Sequence, residues 1–262
     1  MTRKAPAADI AIEKPAKKFL EKSFLPPEDL PPNVHVWRGE WDKEGVYVYQ
    51  AYSDEIADYA LEHQTFGGPA WKAARMTWIK PSFAWMVYRA GYGNKPGQER
   101  ILKIKVSHED IAYMLSQCTL VPNNSNDNDK KTKTATEGSN GPGRIQWDPE
   151  RDLFQAEDNA PRRRTSDIRA IQIGLPGPLS EYYIKHILSI QEVTALSHKV
   201  AAAHRLEGEA ATKEAMDTLI PELPNEKPYL PQLPDETLRD LGMLPTEDAV
   251  PKRRNNKKNV RK

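Results

Sequence analysis

Arg75-Met-Thr-Trp-Ile-Lys-Pro-Ser-Phe-Ala-Trp-Met-Val-Tyr-Arg-Ala-Gly91 changes its period halfway along, and that change decides the fold class. Arg75 to Lys80 alternates with a period of two. Met76, Trp78 and Lys80 fall on one side, and Arg75, Thr77 and Ile79 on the other, as in a strand. Pro81 fixes its own φ and holds Lys80 extended, so the strand stops there. Ser82 to Ala90 then repeats at helical spacing, with Phe83, Met86 and Val87 on the core stripe and Gly91 as the terminating glycine. Trp85, Tyr88 and Arg89 lie on the adjacent face. A strand running directly into a helix predicts an α+β chain.

Working outward, this stretch is rich in both aromatic and cationic residues. Trp78, Trp85, Tyr88 and Tyr92 stand among Arg75, Lys80, Arg89, Lys95 and Arg100. Two readings stand side by side. In one, the rings are core and the cations are solvated tips on buried stems. In the other, the segment is a binding wall whose rings stack on a planar group while the cations hold an anion. The loop Gly91-Tyr-Gly-Asn-Lys-Pro-Gly-Gln-Glu-Arg100 adds backbone amides that could approach a phosphate. It matches neither a P-loop nor a dinucleotide fingerprint.

Before this stretch, Val34–Trp41 and Val46–Tyr52 read as two strands of a hairpin joined by Asp42-Lys-Glu-Gly45. Gln50 is the polar member of the Val46/Val48 face and either meets water at the strand end or faces a pocket floor. Ser53 to His63 reads as a helix with Ser53 at its N-cap. After the stretch, Arg100–Val106 is a strand and Ser107 opens a helix whose stripe includes Cys118, a core thiol on this reading. Ile168–Leu175 is a strand with polar Gln172 facing away from Ile171 and Ile173, a position that needs a partner. Ser180 to Ile190 reads as one helix, and Thr194 to about Thr218 as a longer one. Trp147, set among polar neighbours, joins the candidate ligand residues.

The chain has 262 residues, 38% of them hydrophobic, 22 prolines and a net charge of +1. The balance gives no global field toward nucleic acid or a membrane. The apolar deficit is concentrated at the ends and in one internal stretch. The expected organisation is a proline- and lysine-rich arm at 1–33, a globular domain at 34–220 and a proline-rich then basic tail at 221–262. A polar insertion at 122–143 interrupts the domain. The tails and the insertion are expected to be disordered. The domain is expected to hold a single mixed or antiparallel sheet with packed helices. One cysteine excludes an intrachain disulfide and fits a reducing compartment. There is neither a 20-residue apolar run nor an apolar leader, so an intracellular protein, cytoplasmic or nuclear, is expected. No metal-ligand spacing occurs. The proline-rich arms could bind proteins, and seven Lys or Arg within residues 251–262 could bind nucleic acid.

Five ordered motifs carry a family resemblance. They are Val48-Tyr-Gln-Ala-Tyr-Ser53, Arg75-Met-Thr-Trp-Ile-Lys-Pro-Ser-Phe83, Lys95-Pro-Gly-Gln-Glu-Arg100, Gln146-Trp-Asp-Pro-Glu-Arg-Asp152 and Ala170-Ile-Gln-Ile-Gly-Leu175. Together with Arg38 they resemble the family catalogued as domain of unknown function 4291, over about Val34 to Val200. That resemblance implies little about activity. A second similarity, in the order of elements alone, is to the ADP-ribosyltransferase fold. It would put Gln50, Ser82 and Gln172 at catalytic places, with Gln172 where a carboxylate is usual. The resulting expectation is a nucleotide-handling enzyme, with NAD or another nucleotide as ligand. Its cleft would draw on Tyr49, Gln50, Tyr52, Arg75, Thr77, Trp78, Lys80, Ser82, Trp85, Tyr88, Arg89, Lys95, Gln98, Arg100 and Trp147. The alternative is a non-catalytic nucleic-acid-binding module using the same cleft and the basic tail.

Overall fold

The computed structural model describes residues 34–72, 75–121, 141–157, 160–163 and 168–245. The expected arm at 1–33, most of the insertion at 122–143 and the basic end at 251–262 lie outside the described residues.

The fold is α+β, but its strands do not form the single sheet that was expected. β2 (Gly45–Tyr52) pairs along its whole length with β4 (Arg100–Ser107), and β10 (Ile187–Glu192) adds to the other side of β4. A second, four-stranded sheet runs β3-β9-β6-β5, formed by Thr77–Ile79, Arg169–Leu175, Gly143–Pro149 and Cys118–Leu120. The two sheets touch at one bridge, where Tyr49 and Lys80 exchange backbone hydrogen bonds of 2.7 and 3.3 Å. The reason the ladder stops is local. Pro81 follows Lys80 and has no N–H to continue it.

Inner faces of both sheets supply one core. Val46, Val48, Leu102, Ile104 and Val106 meet Ile79, Ile145, Trp147, Ile171, Ile173 and Leu175 there. A second cluster packs α2 (Phe83–Ala90) against Tyr49, Ile101, α5 (Thr194–His204) and α6 (Glu209–Leu219). α1 (Asp54–His63) and α3 (His108–Ser116) have Ser53 and Ser107 at their N-cap positions, as the sequence suggests. Only Ser107 makes the side-chain bond, accepting the Asp110 N–H at 3.0 Å. Cys118 is buried, and burial pushes its thiol up to about 12.

Several segments depart from the sequence reading. The expected helix from Thr194 to about Thr218 is two, α5 and α6, broken before Gly208, whose φ is +92°. Cys118 lies in β5, beyond the end of α3 at Ser116, rather than on the helix stripe. β1 (Trp37–Gly39) does not complete a hairpin with β2; it pairs with β11 (Lys227–Tyr229), and only Trp41 bridges to Val46. The segment 180–190 is not one helix. α4 (Gly177–Lys185) ends before Ile187, and Ile187–Glu192 is strand β10, whose register against β4 shifts between Ile187 and Ser189, with Leu188 exposed and Ile190 buried. Pairing with β4 overrides local helical spacing there. The domain also does not stop at 220. β11, α7 (Asp235–Asp240) and the buried Leu238, Leu241, Met243 and Leu244 belong to the main core. Proline-rich composition hid them, because it conceals how few apolar residues are needed to seal an open edge.

Candidate functional site

Antiparallel register sorts the four-stranded sheet into two faces. Ile79, Ile173 and Ile145 lie side by side on the inner face, with Trp147 beside Ile171. The alternate residues form the outer face: Trp78 beside Gly174 and Arg144, Gln172 beside Gln146, and Asp148 beside Ala170. One further step of the same register brings Lys80 across from Gln172. Gly174 is required here. A Cβ at that position would lie 2.9 Å from Trp78 Cη2 and 3.0 Å from Met76 Sδ, so the indole crosses the sheet over a bare backbone.

α2 closes one end of this face. Ser82 Oγ accepts the Trp85 N–H at 3.1 Å and donates to Glu150 Oε1 at 2.8 Å. Glu226, from the segment that precedes β11, accepts the Phe83 N–H at 2.6 Å. Two carboxyl groups therefore hold the N-terminus of α2, Glu150 through Ser82 and Glu226 directly. Burial pushes the Glu226 carboxyl up to about 8, and the nearby Glu150 charge adds to the shift. These contacts fix the turn that aims Lys80.

Lys80 is only 7% exposed. Its Nζ lies 5.2 Å from the centre of the Trp85 ring, and it makes no ion pair among the described residues. Burial brings its pKa down to about 8; the Arg89 charge lowers it further and Asp148 opposes both. Asp148 is half-buried at the end of β6, and its Oδ2 has no hydrogen-bond partner among the described residues. Burial raises the Asp148 pKa, against the pull of Lys80, Arg169 and Arg151. Arg151 opens β7 (Arg151–Glu157), which pairs with β8 (Ala160–Arg163). Its guanidinium carbon sits 3.4 Å from the centre of the Tyr88 ring, and its buried Nε also lacks a partner. Lys95 approaches the same ring at 5.8 Å while donating to the Arg89 carbonyl at 2.8 Å. The result is three cations, Lys80, Arg151 and Arg169, whose charges act on the Asp148 carboxylate, with Arg89 acting on Lys80, all beside aromatic faces. Buried polar atoms without partners are uncommon in folded proteins, and the two here, Asp148 Oδ2 and Arg151 Nε, make this a candidate site.

The fifteen ligand-binding candidates are not on one surface. Trp78, Lys80, Ser82, Trp85, Tyr88 and Arg89 gather at the outer face, with Lys95 at its rim. Gln98 meets Arg89 there through a long 3.4 Å contact. Tyr49 is fully buried against Phe83 in the second cluster. The Gln50 amide is fully used inside the core: Nε2 donates to the Tyr52 hydroxyl at 2.8 Å and the Trp78 carbonyl at 3.2 Å, and Oε1 accepts from the Tyr183 hydroxyl at 2.9 Å. Thr77 bonds Ser180 at 2.7 Å, and Trp147 donates to the Leu241 carbonyl at 2.9 Å, both buried. Tyr52 packs on Phe66 and Trp71, near the exposed Arg75. Arg100 is held by Glu192, Asp54 and Asp58 away from this face. The three positions of the ADP-ribosyltransferase analogy separate as well. Gln50 points into the cluster that holds Tyr183, whereas Gln172 alternates away from Ile171 and Ile173, which line that cluster.

Asp148, Glu150, Arg151, Arg169 and Glu226 are not among the candidates taken from the sequence. One signal was available. Arg144, Gln146 and Asp148 share one side of an alternating strand, the same polar side that Gln172 marks on its neighbour. Glu226 gave no signal, since its role depends on a contact 143 residues away. Among the described residues, no group of three His, Cys, Asp or Glu side chains could hold a metal ion. None of the described helices is long and apolar enough to cross a membrane.

The chain belongs to the family described as Domain of unknown function (DUF4291), whose model matches residues 37–229. The two ends of that match, Trp37 and Tyr229, are paired neighbours in the β1–β11 ladder. No curated protein matches the chain.

Proposed function

We propose that this chain handles a nucleotide, held on the outer face of the β3-β9-β6-β5 sheet. The observation that supports this most directly is Lys80, an almost buried amine set against the Trp85 ring that makes no ion pair among the described residues. A lone buried ammonium is costly, and such a group is retained where an anionic ligand completes it. Phosphate oxygens would be met by Lys80, Arg151 and Arg169, and a base would stack on Trp78, Trp85 or Tyr88. Asp148, whose Oδ2 has no partner among the described residues, would accept from a sugar hydroxyl or a base amine. NAD enters as one nucleotide to be tested. The group-transfer chemistry suggested by ADP-ribosyltransferases is not assigned, because Gln50 and Gln172 do not converge.

Calorimetric titration of the full chain with ATP, ADP-ribose and NAD tests this reading. Lys80→Met should weaken the bound nucleotide by about 2 kcal/mol, roughly 30-fold. Equal affinity in the variant, or no binding of any nucleotide, would overturn it.

A second reading, binding of single-stranded nucleic acid, is favoured by the position of Tyr88, Lys95 and Arg151 at the rim, where a strand could pass. It predicts affinity for a short RNA that falls steeply with salt, and stronger binding to the RNA than to mononucleotides.

A further inference from the structure

Among the buried polar and charged side chains of the described residues, only Lys80, Gln172 and Ser197 make neither a hydrogen bond nor an ion pair within that part of the fold. The others are held, as the Gln50 amide is by Tyr52, Trp78 and Tyr183. Ser197 stands apart on α5. Lys80 and Gln172 are neighbours, one register step beyond the Ile79–Ile173 pair. On the other side of Gln172, the ladder places Gln146 directly opposite it. Gln146 is half-buried, and its amide also makes no hydrogen bond among the described residues. Two free amides therefore stand side by side in the middle of the outer face, with Cβ atoms about 5 Å apart. The fold gains nothing from them. An amide buried without a partner is destabilising, and a leucine of similar size in a strand would not be.

We propose that Gln172 and Gln146 read the hydrogen-bonding edge of the base, so that the ligand of this site is a nucleotide with its Watson–Crick edge free. The proposal rests on the outer face being the nucleotide site. Each amide offers a carbonyl acceptor and two N–H donors. A lysine or arginine can only donate, whereas two adjacent amides can meet the neighbouring donor and acceptor positions that an unpaired base presents. A stacking surface lies within reach. Two residues along β9 from Gln172, about 7 Å away, the Trp78 indole crosses the bare backbone of Gly174. Strand side chains stand roughly perpendicular to their sheet. A ring stacked on that low-lying indole would therefore turn an edge toward the amide tips. A base pair in a duplex has this edge occupied and would not be read.

Calorimetric titration of the full chain with ATP, GTP, CTP and UTP, and with tripolyphosphate, tests this. Tripolyphosphate has the phosphates and no base. The parent should bind at least one nucleotide more tightly than tripolyphosphate. Gln172→Leu and Gln146→Leu should each weaken the tightest nucleotide about 10-fold, with tripolyphosphate affinity unchanged. Denaturant unfolding of the same samples should give an unchanged or higher midpoint, which a structural glutamine would not. Three results would each overturn base reading while leaving the anion site standing: a lower midpoint in Gln172→Leu, equal weakening of nucleotide and tripolyphosphate, or nucleotide affinity that neither variant alters. A parent that binds neither nucleotides nor tripolyphosphate would overturn the nucleotide site and this inference together.

Discussion

The Arg151 guanidinium carbon lies over Tyr88, 3.4 Å from its ring centre, and this stack ties β7 to the exposed flank of α2. It joins the second sheet's last turn to the helix that Ser82 and Glu150 anchor at its other end. Arg151 is thereby held at the rim of the outer face with its Nε left for another acceptor. Tyr88→Phe should preserve both stack and affinity, since the ring face is kept. Tyr88→Ala should cost about 1 kcal/mol of stability and weaken nucleotide binding, read by denaturant unfolding and calorimetry on the same samples.

Lys80 makes stability depend on pH in a direction opposite to most lysines. Its folded pKa of about 8 lies below the ordinary 10.5, so the native state releases this proton first. Between those two values the unfolded chain carries the extra proton, and stability contributed by this group rises with pH. The penalty is fully present below pH 8 and gone above 10.5, and amounts to about 3 kcal/mol. Lys80→Met should therefore unfold at higher denaturant than the parent at pH 7, with the gap closing toward pH 10.5. A variant less stable than the parent at pH 7 would contradict this.

Gln50 belongs to the fold rather than to the ligand face. Gln50→Leu strands the hydroxyl of Tyr183 and removes a donor from Tyr52 and from the Trp78 carbonyl. The expected loss is about 3 kcal/mol in chemical denaturation. Nucleotide affinity of the folded fraction should change little, because no Gln50 atom is left over for a ligand.

Gly174→Ala tests the surface that Trp78 crosses. The added methyl would come within 2.9 Å of the indole and 3.0 Å of Met76 Sδ, so the ring must shift. A loss of about 1 to 3 kcal/mol is expected, with a change in Trp fluorescence and weaker base stacking.

The proline-rich segment after residue 220 is structural. Leu241→Ala opens a cavity in the main core and should cost about 3 kcal/mol. Removal of everything after Ile220 should abolish cooperative thermal unfolding, because β1 loses its partner strand and Trp147 loses the carbonyl it donates to.

Local pattern determined much of this protein. Alternation in Arg75–Lys80, the short helix after Pro81 and the Gly91 terminus are all decided within a few residues, and the structure keeps each of them, with Ser82 at the N-cap rather than inside the helix. The same holds for β2, β4, α1 and α3, whose apolar periods match the faces they bury. Periodicity also placed Trp78 and Lys80 on one side and Gln172 away from its isoleucines. What it could not decide was which strand pairs with which. Trp37 chose Tyr229 over the nearby Val46 strand, and Ile187–Glu192 became a strand because β4 offered an unpaired edge. Backbone hydrogen bonds carry no address in the sequence, and their partners are fixed by which edges the whole fold leaves open. The site follows the same rule. Sequence supplied the lysine and the rings; only the tertiary structure brought Asp148, Arg151 and Arg169 beside them and sent Gln50, Trp147 and Arg100 elsewhere. A charged side chain's role depends on burial and on neighbours distant in the chain, and neither is written in its own segment.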